Sequence, residues 1–103
     1  MRFTWDEQKN AGNLAKHGVS FERAALVFGD PRAVSLSDDH EPEERWLTIG
    51  MVNGVVLVVV HTLQEPAHQN ENEDENEEEI RIISARKATR REREIYERGR
   101  QNP

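Results

Sequence analysis

The residues best suited to chemistry in this sequence are basic side chains near its C-terminal end. Five of them fall within eight positions: Arg86, Lys87, Arg90, Arg91 and Arg93. Cations at the start of a helix oppose its macrodipole, so helix stability alone does not select this placement. Guanidinium groups bind phosphate oxygens bidentately, and backbone N–H groups at a helix start add further donors. The pattern favours phosphate contact; the alternative is a solvated helix face paired with Glu92, Glu94 and Glu97.

A second basic group lies in the N-terminal part of the chain, where Lys16 and His17 follow Lys9. Histidine suits proton transfer near neutral pH, so His17 is a candidate acid–base group. The competing interpretation is a protonated histidine that stabilises the C-terminal end of a helix. At the end of a predicted strand, His61 could be another acid–base group or could stack on Trp46.

The sequence has none of the common motifs that bind a metal ion or a cofactor. It has no cysteine, which excludes disulfides, thiolate nucleophiles and Cys-ligated zinc. Its histidines, at positions 17, 40, 61 and 68, show no close ligand spacing such as His-x-x-x-His. A Gly-rich phosphate loop and a Gly-x-Ser-x-Gly motif are also absent. We therefore predict neither a metal site nor a cofactor.

Length and total charge suggest one small domain over residues 1–103 that does not bind nucleic acid, since the 103 residues carry a net charge of −6. The charge is unevenly distributed, however. Residues 65–79 hold eight carboxylates and no base, whereas residues 80–103 carry a net charge of +5. Outside the acidic tract the chain is +2, and that value no longer excludes an RNA or DNA ligand.

Residues 69–79 are built only from Gln, Asn, Glu and Asp. Such a segment cannot bury enough apolar surface to offset the entropy lost on ordering, so we predict a disordered acidic loop there. This loop could fold back over the arginines as an internal phosphate mimic, or it could be a solvated extension.

The elements that position these groups begin with a short strand and two helices. Thr4 or Asp6 can cap the first helix, which ends near residue 17 with Gly18 as its C′ glycine. Its apolar stripe is thin: Ala11, Leu14 and Ala15. Ser20 caps the second helix. Trp5, which directly precedes Asp6, could stack on a base or anchor the first helix in the core.

A hairpin is the clearest element of the remaining chain. Asn53-Gly54 separates two β-rich runs, 46–52 and 55–63, which is typical of a type I′ turn. A two-residue turn places Trp46 opposite His61. One face of the hairpin is then uniformly apolar: Leu47, Ile49, Met51, Val56, Val58 and Val60.

Strands are also predicted at 33–36 and 79–85, before a last helix. Thr89-x-x-Glu92 is a capping box for that helix, which should fray by Gly99. The predicted order is β-α-α-β-β-β-β-α. This order indicates an α+β fold with an antiparallel sheet, two N-terminal helices and one C-terminal helix.

Several blocks in this order resemble the BrnT family of toxins, over residues 2–97. They are Phe3-x-Trp5-Asp6-x-x-Lys9-x-x-x-Asn13-x-x-Lys16-His17-Gly18-Val19-x-Phe21-x-x-Ala24, then Glu44-Arg45-Trp46-x-x-Ile49-Gly50, the strand at 58–62, and Arg81-Ile82-Ile83-Ser84-Ala85-Arg86-Lys87-Ala88-x-x-Arg91-Glu92 followed by Tyr96-Glu97. The acidic segment 69–79 departs from the family, where a much shorter connection is expected.

The resemblance implies a RelE-like fold and the toxin of a type II toxin–antitoxin system. Such a toxin would be a metal-independent endoribonuclease that cuts RNA, inhibits translation and arrests growth. Its partner would be a BrnA-like ribbon-helix-helix antitoxin, with operator DNA bound only through the toxin–antitoxin complex. We expect a cytoplasmic protein without a membrane anchor, since the longest apolar run has six residues.

RNA cleavage without a metal needs a base for the 2′-OH, cations for the phosphate and an acid for the 5′-oxygen. The predicted catalytic residues are Arg86, Arg90, Arg91, Glu92, Tyr96 and His17. The predicted RNA-binding residues are Lys9, Lys16, Arg45, His61 and Lys87. No motif fixes a catalytic geometry, so the alternative is a non-enzymatic interaction module or co-repressor that binds an antitoxin and operator DNA.

Overall fold

The computed structural model describes residues 1–38, 44–64 and 78–101. Its elements are β1 (Arg2–Thr4), α1 (Glu7–His17), α2 (Phe21–Ala25), a 3₁₀ turn (Leu26–Gly29), β2 (Val34–Asp38), β3 (Arg45–Val52), β4 (Val55–Gln64), β5 (Glu79–Lys87) and α3 (Arg90–Gln101). The predicted α+β order is confirmed. Residues 69–77 of the predicted acidic loop lie outside the described residues. Glu79, the last residue of the predicted loop, pairs with Arg2 and belongs to β5, so the loop ends before it.

The five strands form one sheet in the order β1-β5-β4-β3-β2. All neighbours are antiparallel except β1 and β5, which run parallel. The predicted antiparallel sheet is confirmed for β5, β4, β3 and β2, and the short β1 adds one parallel pair at its edge. Two strands that are distant in sequence can pair in either direction, whereas a two-residue turn forces an antiparallel pair.

The hairpin has its predicted register, with Val52 opposite Val55 and Trp46 opposite His61. Asn53 at φ 50° and Gly54 at φ 81° both occupy the left-handed region that a type I′ turn requires.

A bulge in β5 changes which of its side chains share a face. Ser84 pairs with Val60 and Ile82 pairs with His61, so Ile83 is an extra residue on this strand. Side chains alternate between faces along a strand, and one inserted residue inverts that alternation. Arg81 and Arg86 would lie on opposite faces of a regular strand; with the bulge they lie on the same one.

Each face of the sheet carries its own apolar cluster. The α1 face is covered by α1, α2 and the 3₁₀ turn, and its cluster comprises Val19, Phe21, Ala24, Val27, Val52, Leu57, Val59, Ile80, Ile82 and Ala85. The α3 face carries a smaller cluster of Ile49, Val56, Val58, Ala88 and Tyr96. This division matches the two faces predicted for the hairpin.

Asparagine side chains attach α1 to the rest of the protein. Asn10 Oδ1 accepts from the Phe21 backbone N–H at 2.8 Å, and Asn13 Nδ2 donates to the Ala85 carbonyl at 2.8 Å. The predicted stripe contributes little to the core, because Leu14 is 52% exposed. The helix begins after Asp6, whose carboxylate accepts from the Gln8 and Lys9 N–H groups.

Trp5 anchors this part of the chain, as one of the two interpretations predicted. Its ring meets Phe21 edge-on with centroids 6.2 Å apart, and its Nε1 donates to Glu7 at 2.7 Å. Trp5 is half-buried against the α1-face cluster.

Candidate functional site

The predicted cationic segment forms the junction between β5 and α3, residues 86–91. A capping box fixes the start of α3: the Thr89 N–H donates to Glu92 Oε1 at 2.8 Å, and the Glu92 N–H donates to Thr89 Oγ1 at 3.2 Å. The predicted capping box is thus confirmed, and it gives the junction one defined backbone geometry.

A two-point ion pair ties Arg86 to Glu92. Arg86 Nη1 donates to Oε1 at 2.6 Å and Nη2 donates to Oε2 at 2.8 Å. The bonds from Arg86, reinforced by the Thr89 N–H, lower the pKa of Glu92 to about 2 although partial burial opposes this. General acid–base groups work best with a pKa near the working pH, so Glu92 is poorly suited to proton transfer. Its position suits it instead to orient the Arg86 guanidinium.

The remaining junction cations face solvent. Arg90 makes a 3.6 Å contact with Glu94 in which both side chains are largely exposed. The Arg91 and Lys87 side chains are exposed and make no hydrogen bond or ion pair with any described residue. These three side chains can contact a phosphate without first breaking a buried interaction.

Tyr96 holds α3 against the sheet and the turn before β2. It is 3% exposed, and its hydroxyl donates to Asp30 Oδ2 at 2.6 Å. Asp30 also accepts from the backbone N–H groups of Met51 and Arg32, each at 2.9 Å. Burial raises the pKa of Asp30, but these three hydrogen bonds outweigh it and leave the pKa below its usual value. Tyr96 is therefore placed as a positioning residue rather than as a group that meets substrate.

The direction of α1 brings its C-terminal end toward the junction. Thr4 is level with Arg81, and Asn13 is bonded to Ala85, so α1 runs in the same direction as β5. His17 lies one turn beyond Asn13, about 6 Å farther along the helix axis. It is therefore level with the end of β5 from which the junction starts.

The three basic residues of α1 are consequently not equivalent. Lys16 and His17 are exposed at the end near the junction, without a hydrogen bond or ion pair to a described residue. Lys9 is exposed one turn before Asn13, on the side away from the junction. Along the direction of β5, Lys16 and His17 are thus closer to the level of the junction than Lys9 is.

Comparison with protein families decides the identity of the chain. Residues 5–92 match the family model described as "Ribonuclease toxin, BrnT, of type II toxin-antitoxin system". The chain belongs to the BrnT family. The match includes all of α1, the whole hairpin and the whole junction, and it confirms the resemblance found in the sequence. A search of curated proteins found no significant match.

Membership of the BrnT family makes the protein a ribonuclease toxin of a type II toxin–antitoxin system, whose partner is an antitoxin. No helix among the described residues is long and apolar enough to cross a membrane. In the same part of the chain, no group of three or more metal-ligating side chains is close enough to hold an ion. His40 and His68 lie outside the described residues.

One predicted RNA-binding residue of this BrnT chain is buried. His61 is 4% exposed, its Nε2 lies 2.7 Å from Thr48 Oγ1, and its ring meets Phe28 edge-on at 4.9 Å. Its ring partner is thus Phe28, where the sequence suggested Trp46. Burial lowers the pKa of His61, which favours the neutral ring. A ring buried to this extent is not accessible to RNA, so His61 is not among the proposed RNA contacts.

Arg45 lies on the α3 face, at the end of the sheet opposite the junction. It is half-buried, and its Nε is buried without a hydrogen-bond partner. Local sequence signals missed three groups that shape the site: Asn13, Asp30 and the bulge at Ile83. Their partners are distant in the sequence, so the only cue was the Asp30-Pro31 pair, which indicates a turn.

Proposed function

We propose that this BrnT toxin cleaves RNA without a metal ion, at the surface formed by the junction and the end of α1. Arg91 carries the proposal: it is an exposed cation on the first turn of α3, with no partner among the described residues, beside Arg90 and Lys87. The family finding supports ribonuclease activity. The location of the cleavage site and its independence of metal are our inferences.

In the proposed reaction the 2′-oxygen attacks the adjacent phosphorus, and the bond to the 5′-oxygen breaks. A base takes the 2′-OH proton and an acid gives a proton to the departing 5′-oxygen. The products are a 2′,3′-cyclic phosphate and a 5′-OH. Arg86, Arg90 and Arg91 stabilise the phosphate charge in the transition state, an effect worth about 3–4 kcal/mol for a single well-placed donor in enzymes.

The remaining predicted residues take different roles in this proposal. His17, assisted by Lys16, is our candidate for proton transfer, because it is the one exposed imidazole near the junction among the described residues. Glu92 orients Arg86, and Tyr96 fixes α3. Lys87 contacts the RNA backbone, and Lys9 lies too far along α1 to reach the scissile phosphate.

We further propose that the antitoxin is a BrnA-like ribbon-helix-helix protein that covers the junction. Free cations of this density attract an acidic partner segment, and covering them would block RNA. Operator DNA would then be bound only through the complex. Translation is inhibited, and growth stops, when the antitoxin is absent.

The experiment compares wild type, Arg91→Ala and Arg23→Ala on a labelled RNA in EDTA and in Mg²⁺. Arg23 is the matched control because it lies on α2, outside both the junction and α1. We expect wild type and Arg23→Ala to cut equally in both buffers and to leave cyclic-phosphate ends. Arg91→Ala should cut at least tenfold more slowly, given the size of a single transition-state contact.

Expression in cells provides the second measurement. Wild type should arrest growth and a co-expressed ribbon-helix-helix antitoxin should restore it. Cleavage only in Mg²⁺ would show that the metal-independent mechanism is wrong. Equal rates for wild type and Arg91→Ala would remove the junction from the active site.

A further inference from the structure

A row of polar side chains crosses the α3 face at the end of the sheet opposite the junction. Asp38 on β2 pairs with Arg45 on β3, and Thr62 on β4 pairs with Arg81 on β5. Arg45 and Thr62 come one step beyond the Trp46–His61 pair, so they are level with each other. The two arginines therefore flank β4 in a single row.

The spacing of these two arginines suits one shared anion. Neighbouring strands lie about 4.8 Å apart, so two strand spacings separate the Arg45 and Arg81 backbones by about 10 Å. Both side chains are long enough to converge over Thr62 from either side. Two guanidinium groups that bind one anion are a known arrangement for recognising phosphate.

Neither arginine is committed to another described residue. Arg45 Nε is buried without a hydrogen-bond partner, and no ion pair joins Arg45 to Asp38. The Arg81 side chain is exposed and makes no hydrogen bond or ion pair in the described part of the chain. A buried donor without a partner is costly, and a ligand or water that accepts from it removes that cost.

The bulge in β5 connects this row to the junction. Because Ile83 is an extra residue, Arg81 lies on the same face as Arg86, five residues and roughly 15 Å away along the strand. Between them lies a second row, which starts with Ser84 on β5 and continues on the neighbouring strands as an apolar floor of Val60, Leu47 and Leu36. Leu36 is 37% exposed, and of the described helices α3 alone lies on this face.

We propose that Arg45 and Arg81 form a second phosphate site, which binds the backbone of single-stranded RNA a few nucleotides from the phosphate held at the junction. The inference rests on the proposed function of the junction and extends it along the substrate. The chain would pass from the junction over the apolar floor, which packs against bases or sugars. Cations at both ends of an open floor fit a charged, extended strand better than a folded protein surface.

The experiment measures the affinity of uncleavable 2′-O-methyl oligouridylates, two to eight nucleotides long, for the full chain. Wild-type affinity should rise in a step once the oligonucleotide is long enough to reach Arg81. Arg81→Ala and Arg45→Gln should each lose that step, with at least a fivefold weaker affinity for the octamer and an unchanged affinity for the dimer. For each variant, the slope of log affinity against log salt concentration should be smaller by about 0.7, which is the contribution of one phosphate contact on a single strand.

Arg23→Ala is the control for loss of one charge, and thermal unfolding checks that each variant is folded. Since Arg81 is exposed, its variant tests the site even if Arg45→Gln destabilises the protein. Unchanged octamer affinity and salt slope in Arg81→Ala would overturn the second site. Weaker antitoxin binding with unchanged RNA binding would overturn it as well, by assigning the row to the antitoxin. Cleavage by the wild type in EDTA reports on the junction separately, so the two proposals can fail independently.

Discussion

The two faces of the sheet are covered to different extents. On the α1 face, three helical segments enclose side chains such as Phe21, Val27 and Val59, each 0% exposed. On the α3 face, one helix rich in charge covers part of the sheet and leaves Leu36 accessible. The apolar cluster on the α3 face is smaller, and two polar contacts, Arg86–Glu92 and Tyr96–Asp30, help to hold α3 in place.

This difference separates stability from function. Burial of apolar area supplies most of the folding free energy, so the α1 face is where the fold is stabilised. The α3 face retains the uncovered surface and most of the cations, which a toxin needs for its ligand. The two polar contacts hold α3 in place and leave the rest of this face exposed.

The largest expected effect of a single substitution is on the α1 face. Phe21→Ala removes a fully buried ring and should lower the free energy of unfolding by about 3–5 kcal/mol. Ile95→Ala, at a half-buried position of α3, should cost clearly less because solvent already reaches it. Urea unfolding of both variants measures the difference. Equal losses would show that the two faces contribute alike, and the comparison would then be wrong.

A smaller effect, with a distinctive pH dependence, is expected for Glu92→Gln. In the folded protein the pKa of Glu92 is about 2, against an ordinary value of 4.5. Because the folded value is the lower one, the ion pair stabilises fully above about pH 4.5 and is lost as the pH falls toward 2. We expect a loss of about 2 kcal/mol at pH 7, after allowance for partial solvent screening, and almost none near pH 2.

Urea unfolding of wild type and Glu92→Gln at several pH values measures this loss. The pKa of Asp30 is also lowered, but Asp30 is present in both proteins, so the difference between them isolates Glu92. Glu94→Gln is the matched control, since its contact with Arg90 is largely exposed. A wild-type advantage that persists unchanged to pH 2 would contradict the assigned pKa.

Elements with local signals could be predicted from the sequence. Asp6, Ser20 and the Thr89–Glu92 box each begin a helix where they were expected to, because a cap bonds only to its own first turn. Asn53-Gly54 determined the hairpin register for the same reason. α3 runs to Gln101 rather than fraying by residue 99, a difference of the size expected at helix ends.

Features that depend on distant partners could not be predicted in this way. The contact of Asn13 with Ala85 spans 72 residues, and that of Tyr96 with Asp30 spans 66. For the same reason the cations of the junction were recognisable, but the bond of Tyr96 to Asp30 was not. Placing Arg81 on the same face of the sheet as Arg86 depends on a one-residue bulge that no local pattern indicates.

The smallest expected change in stability comes from Tyr96→Phe, and it discriminates between two roles for Tyr96. The substitution keeps the buried ring and removes the bond to Asp30, whose two backbone donors remain. The loss should therefore be about 1 kcal/mol. If Tyr96 only positions α3, cleavage in EDTA at a temperature where the variant is folded should fall by less than threefold. A loss of a hundredfold or more with an intact fold would show instead that the hydroxyl takes part in the chemistry, and that α3 must move to expose it.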